Sequence, residues 1–102
     1  MHALGVVVAA ATQKSVFFQD DMNRINPSLI EADAVVLASP VYYNNINAQM
    51  KAVIDRFYAV DEKLKNAKKA VLLLTSADEE WENTAGPILA FKGMCDYLGW
   101  SV

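Results

Sequence analysis

The stretch Glu31-Ala32-Asp33-Ala34-Val35-Val36-Leu37-Ala38-Ser39-Pro40-Val41-Tyr42-Tyr43-Asn44 decides the reading of this chain. Its centre, Ala34 to Ser39, is apolar without alternation. A continuous apolar run this short fits a strand covered on both faces, as in a parallel sheet. A second run of the same kind, Ala70-Val71-Leu72-Leu73-Leu74-Thr75, ends at Thr75-Ser76, as the first ends at Ser39-Pro40. A third opens the chain around Val6-Val7-Val8 and stops at the polar break Thr12-Gln13-Lys14. It is far short of the ~20 residues a membrane helix needs. It also lacks Lys or Arg before its apolar core, so it reads as a buried strand rather than a signal peptide.

Helical patterns lie between and after these runs. Ile46, Met50, Val53, Ile54 and Phe57 recur at helical spacing, with Asn47 as the predicted N-cap. Ile88, Phe91, Cys95 and Leu98 form a second stripe that stops at Gly99, with Asn83 or Thr84 as a cap. Asp20 to Ala32 reads as a shorter helix, broken at Pro27 or restarted with Asn26 as cap and Pro27 in its first turn. The order strand, helix, strand, helix, strand, helix predicts an α/β fold with a parallel sheet and right-handed crossovers. Trp100-Ser101-Val102 is placed to open a further strand.

The chain has 102 residues, one Cys, one His and a net charge of −3, enough for one domain. With 54% hydrophobic and 21% charged residues it is neither disordered nor tail-like. A single cysteine excludes a disulfide scaffold and a Cys-rich zinc site. The acidic balance argues against nucleic-acid binding. A soluble, cytoplasmic protein without membrane partners is the expectation.

In open parallel sheets, ligands bind beyond the carboxyl ends of the strands. The loop after Ser39 carries a stiffening proline, two tyrosines and two amides. It can stack on a flat ring and read the ring's polar edge through backbone N–H groups and an Asn side chain. The same residues also fit a plain β-to-α turn with its tyrosines packed on their neighbours, and the residues alone leave both readings open.

The run from Glu31 to Asn44 resembles the central strand and flavin loop of NAD(P)H-dependent FMN reductases. The continuation Ala48-Gln49-Met50-Lys51-Ala52-Val53-Ile54-Asp55-Arg56 is similar to the helix that follows in that family, and Gln19-Asp20-Asp21-Met22-Asn23 resembles its iron–sulfur flavoprotein branch. The resemblance implies a flavodoxin-like three-layer sandwich, here truncated to three or four strands in a single domain over residues 1–102. It implies FMN as cofactor and NAD(P)H as reductant, with hydride passing to the flavin and electrons onward to an acceptor. Pro40, Val41, Tyr42, Tyr43 and Asn44 would face the flavin ring, and Thr75, Ser76 and Ala77 would flank it. No protein acid or base is obligatory, because the cofactor carries the chemistry.

The sequence departs from the family at both ends. The Ser/Thr/Gly-rich loop expected to hold the FMN phosphate has no counterpart; Thr12, Lys14 and Ser15 are its nearest substitutes. The cysteine cluster of the iron–sulfur branch is absent, so no cluster is expected. Asp78-Glu79-Glu80-Glu82 reads as an acidic helix start and would also repel phosphates. The expected protein is an FMN reductase with impaired flavin binding. The alternative is a non-catalytic remnant that persists as a homo-oligomer without flavin, with Val6-Val7-Val8 as the element pairing between chains. Among the remaining residues, Cys95 reads as a buried inert thiol, Lys51, Asp55 and Arg56 as surface charges, and Lys63, Lys65, Lys68 and Lys69 as a solvated turn.

Overall fold

The computed structural model describes residues 6–10, 19–77 and 81–102. In chain order the elements are β1 (Val6–Ala10), α1 (Gln19–Glu31), β2 (Ala34–Tyr42), β3 (Asn45–Ile46), α2 (Ala48–Arg56), a 3₁₀ turn (Phe57–Val60), α3 (Asp61–Leu64), β4 (Lys69–Thr75) and α4 (Trp81–Leu98). The three apolar runs become β1, β2 and β4. β2 lies between the other two and pairs with both in parallel, Val6 opposite Ala34 on one side and Ala34 opposite Lys69 on the other. Val6–Val8 pairs with β2 of its own chain through one of its two edges. Beyond β4, Ser101 forms a parallel bridge with Lys69, fixed by Ala70 N–H to Ser101 O at 2.7 Å and Ser101 N–H to Lys68 O at 2.8 Å. At the expected further strand, Trp100-Ser101-Val102, the structure shows this single bridge and no named strand.

Strands that follow one another across a sheet in chain order, joined by right-handed crossovers, place their helices on one face. The packing agrees. Met22 and Leu29 of α1, Met50 and Val53 of α2, and Phe91, Cys95 and Leu98 of α4 form one buried cluster with Val35, Leu37 and Ala70 of the sheet. Burial along β2 accordingly alternates, with Val35, Leu37 and Ser39 inside. The opposite sheet face is apolar yet open: Val71 is 44% and Leu73 54% exposed. Among the described residues, then, the flavodoxin-like sheet and one helical layer are present, two of the expected three layers.

Local details explain where the pattern held and where it slipped. Asn47 is the N-cap of α2, its Oδ1 accepting from Met50 N–H at 2.9 Å. Gly99 ends α4 at φ +79°, the left-handed conformation that favours glycine there. The expected break at Pro27 does not occur: α1 runs unbroken through it. An interior proline costs about 3 kcal/mol. Burying Met22 and Leu29 on either side of it contributes about 1.5–3 kcal/mol each, enough to hold the helix together. In the same turn, Asn26 Oδ1 is buried without a hydrogen-bond partner. Asn83 and Thr84, the expected caps, both lie within α4, and the Thr84 hydroxyl donates back to Trp81 O at 3.3 Å.

Lys68 is not part of a solvated turn. It is only 4% exposed, and its Nζ donates to Ile30 O at 2.9 Å and to Ala32 O, satisfying carbonyls that the end of α1 leaves open. Lys65 stays at the surface, paired with Glu62 at 3.0 Å and lying 4.5 Å over the Tyr97 ring.

Candidate functional site

The carboxyl ends of β2 and β4 lie side by side, since the parallel ladder runs on to Pro40 opposite Thr75. The segment after Ser39 is no open loop. β2 continues through Pro40 and Val41 to Tyr42, turns, and returns as β3, with Val41 opposite Ile46 and Tyr42 opposite Asn45. The connection is the two-residue turn Tyr43-Asn44, with φ of 49° and 63°. Positive φ at both central positions is the signature of the type I′ hairpin, whose twist matches that of the flanking strands.

Asparagine suits such a position; tyrosine does not. Tyr43 is nevertheless held there with its side chain wholly in solvent, and Tyr42 beside it is 43% exposed. Backbone strain of this sort costs about 1–3 kcal/mol and must be held by its surroundings. No packing is gained in return, so the fold gives no structural reason for an aromatic at the tip.

The hairpin is fixed at its base. Ser39 Oγ accepts from Asn47 N–H at 3.0 Å, and its one proton lies within reach of Pro40 O at 2.8 Å and Asn47 Oδ1 at 3.3 Å. Both residues are buried. The clasp joins the last inward position of β2 to the cap of α2 and closes the hairpin between them. Asn45 is occupied locally, its Oδ1 accepting from Ile46 N–H at 2.8 Å. Behind β3 lies a cavity of about 200 Å³, lined by Leu37, Met50, Ile54, Leu72, Phe91 and Met94. The underside of the hairpin is therefore incompletely packed, and its position depends on a few fixed points.

The tip has one further support. Gly86 of α4 approaches the turn so closely that a Cβ there would lie 2.9 Å from Asn44 O. Sequence reasoning passed over Gly86. The available signal was the Gly86-Pro87 pair, two poor helix formers inside a strongly apolar helix.

On the neighbouring strand end, Thr75, Ser76 and Ala77 are exposed. The structure thus brings all eight expected residues to the carboxyl edge of the sheet, with Pro40, Val41 and Tyr42 in a strand, Tyr43 and Asn44 in the turn, and Thr75 to Ala77 at the adjacent strand end. Thr12, Lys14, Ser15 and the acids Asp78, Glu79 and Glu80 lie outside the described residues. Lys51, on α2 below, is paired with Asp55 in an exposed ion pair. A hollow of about 550 Å³ between β4, α4 and Val102 includes none of the hairpin residues. Among the described residues no group of His, Cys, Asp and Glu could hold a metal ion. No described helix is long and apolar enough to cross a membrane.

These features define the class: a flavodoxin-like α/β protein with an aromatic hairpin at the carboxyl edge of a parallel sheet. Solved structures share the architecture. The Trp repressor binding protein from Bacillus subtilis superposes with a TM-score of 0.77 over 97% of this chain and 82% of its own, at 14% identity. A flavodoxin, WrbA-like protein from Agrobacterium tumefaciens gives 0.72 over 94% and 73%, also at 14% identity. The chain belongs to the NADPH-dependent FMN reductase family, whose pattern matches residues 2–95. Among curated relatives, an iron–sulfur flavoprotein of Archaeoglobus fulgidus is 58% identical over 38 residues, covering 37% of this chain and 17% of the relative. One from Methanosarcina thermophila is 37% identical over 67 residues, covering 63% of this chain and 35% of the relative. The matches thus span about a third or less of these relatives' length.

Proposed function

We propose that the Tyr42–Asn44 hairpin and the Thr75–Ala77 strand end receive the isoalloxazine ring of FMN, and that the chain takes part in NAD(P)H-dependent flavin redox chemistry in the cytoplasm. The observation that carries this reading is Tyr43, an aromatic kept at φ 49° in a tight turn with its side chain in solvent. The fit to the cofactor's ring supports it. A flavin ring is flat with apolar faces and a polar edge, and the hairpin offers exposed rings beside a turn whose backbone groups and Asn44 amide are polar.

FMN, when bound, supplies hydride and one-electron transfer. The chain's own part is to stack on the ring through Tyr42 and Tyr43, orient its edge through Asn44 and the turn backbone, and flank it with the Thr75 and Ser76 hydroxyls. No charged side chain is among these eight residues, so binding rests on stacking and edge hydrogen bonds. With Thr12, Lys14 and Ser15 as the only substitutes for a phosphate loop, FMN binding in the micromolar range or weaker is the expectation.

Flavin fluorescence quenching tests the reading. Tyr42→Ala and Asn44→Ala should each weaken binding more than Lys51→Ala; equal losses in all three, or loss only with Lys51→Ala, would remove the ring from the hairpin. Nanomolar binding to the unaltered chain would mean that the phosphate site is rebuilt by Thr12, Lys14 and Ser15 or by a second subunit.

The open sheet face favours a second reading, a homo-oligomer that persists without flavin. Val71 and Leu73 expose apolar surface in a parallel sheet, a kind that is covered on both faces almost without exception. Sedimentation equilibrium with Leu73→Lys as comparison tests it. An oligomer that the substitution dissociates supports the reading, and a folded monomer at micromolar concentration refutes it.

A further inference from the structure

We propose that Gly86 is the positioning residue of the hairpin turn: its missing side chain sets where Tyr43 and Asn44 stand, and through them how tightly the turn holds a flavin ring. The second half of this inference rests on the flavin reading above; the first half does not. Gly86 sits inside α4, where glycine is less favourable than alanine because of its backbone entropy. What the glycine provides is room. A Cβ at 86 would meet Asn44 O at 2.9 Å, closer than carbon and carbonyl oxygen tolerate, and the obstacle is backbone rather than the end of a flexible side chain. Gly93, seven residues on in the same helix, has nothing within 4 Å of the same position. The close approach therefore belongs to the turn and is not a general property of α4.

The turn cannot absorb a Cβ locally. Tyr43 and Asn44 both lie in the narrow left-handed region, at φ 49° and 63°, and Val41 and Tyr42 are held in register with Ile46 and Asn45. The hairpin must then swing as a unit about its base, where Ser39 and Asn47 pin it. The cavity behind β3 offers little packing to oppose that swing. Both tyrosine rings, the Asn44 amide and the turn's N–H groups would move together. Misplacement of a recognition group by a fraction of an ångström to an ångström costs about tenfold or more.

The experiment compares Gly86→Ala with Gly93→Ala in the full chain. Both gain helix propensity, so both are expected to fold, and urea midpoints check that they do. In the ligand-free proteins, amide chemical shifts of Tyr43, Asn44 and Asn45 should move in Gly86→Ala and stay in place in Gly93→Ala. On titration, FMN should bind Gly86→Ala about tenfold more weakly than the unaltered chain, and Gly93→Ala equally well. The visible circular dichroism of the bound flavin should also change in Gly86→Ala at saturation, which a loss of stability alone would not produce. Unmoved turn amides, or an unchanged FMN dissociation constant and dichroism, would overturn the inference. If the unaltered chain binds no FMN, the flavin reading falls by itself, and the amide shifts alone decide whether Gly86 positions the turn.

Discussion

Replacing Ser39 by alanine removes one oxygen from the base of the hairpin, and its cost can be worked from the contacts. The Oγ accepts from Asn47 N–H at 3.0 Å and lies 2.8 Å from Pro40 O and 3.3 Å from Asn47 Oδ1. Ser39 is 5% and Asn47 2% exposed, so water does not simply replace the lost partner. A buried donor left unsatisfied costs about 1–3 kcal/mol, and the methyl that replaces the hydroxyl gives little back. Ser39→Ala should therefore destabilise by about 2 kcal/mol. Asn47→Ala should cost about 1–2 kcal/mol through loss of its cap on Met50 N–H, plus its share of the Ser39 contact. Because the two side chains meet, their effects should not add. The double variant should fall short of the sum by about 0.5–1 kcal/mol or more. Urea unfolding of the four proteins measures this cycle. An additive double variant, or a Ser39→Ala cost below about 0.5 kcal/mol, would refute the view that this clasp holds the hairpin.

Burial raises the Cys95 thiol to about 11, so Cys95 should resist thiol reagents at neutral pH in the folded protein and react at once in urea. Its contribution to stability is complete below 9.0 and is lost as pH rises through about 11. Lys68 behaves in the opposite sense: burial lowers its ammonium below the usual 10.5, against the opposing pull of Asp33. Between the folded and unfolded values unfolding takes up a proton, so stability due to Lys68 rises with pH there. Urea unfolding across the alkaline range should therefore show a steeper loss in Lys68→Met and a shallower one in Cys95→Ala than in the unaltered chain. Lys68→Met should also cost about 2–4 kcal/mol at neutral pH by stranding Ile30 O and Ala32 O. Gly99→Ala should cost about 1 kcal/mol in the same assay, since φ is +79° there with free space around it.

The sheet was legible because its signal is local and repeated: three short apolar runs, each stopped by hydroxyl residues, became three parallel strands. Asn47 and Gly99 were legible for the same reason, as caps act within one helical turn. Pro27 misled because propensity is local while the anchoring of Met22 and Leu29 is tertiary. Lys68 misled because four lysines close in sequence suggest solvent, and only the fold brings the end of α1 beneath one of them. In the candidate site, residue types pointed to the carboxyl edge of the sheet, but the hairpin was hidden. Tyr-Asn is a poor type I′ pair, so nothing in the sequence marked Tyr43-Asn44 as a two-residue turn. Gly86 was hidden too, because its role is a distance to a carbonyl 42 residues earlier in the chain.

The same contrast bears on how the sheet is covered. Both faces of β2 and β4 are apolar by sequence, which is why the pattern read as a strand buried on two sides. Helices in the described residues cover one of them. Ala34, Val36 and Ala38 of β2 are only half-buried, and Val71 and Leu73 of β4 are exposed, with Lys69 as the charged residue at the strand's start. Two-sided apolar strands lose stability when one face meets water, at about 25 cal/mol for each Å² of apolar surface left exposed. The candidate site stands apart from this. The hairpin's fixed points, Ser39, Asn47 and Gly86, all belong to the helix-covered side or to the elements packed there. Covering or leaving open the far face should therefore change the stability of the chain and its association more than the placement of Tyr43 and Asn44. The proposed flavin binding and the proposed self-association should therefore be separable, each able to fail while the other holds.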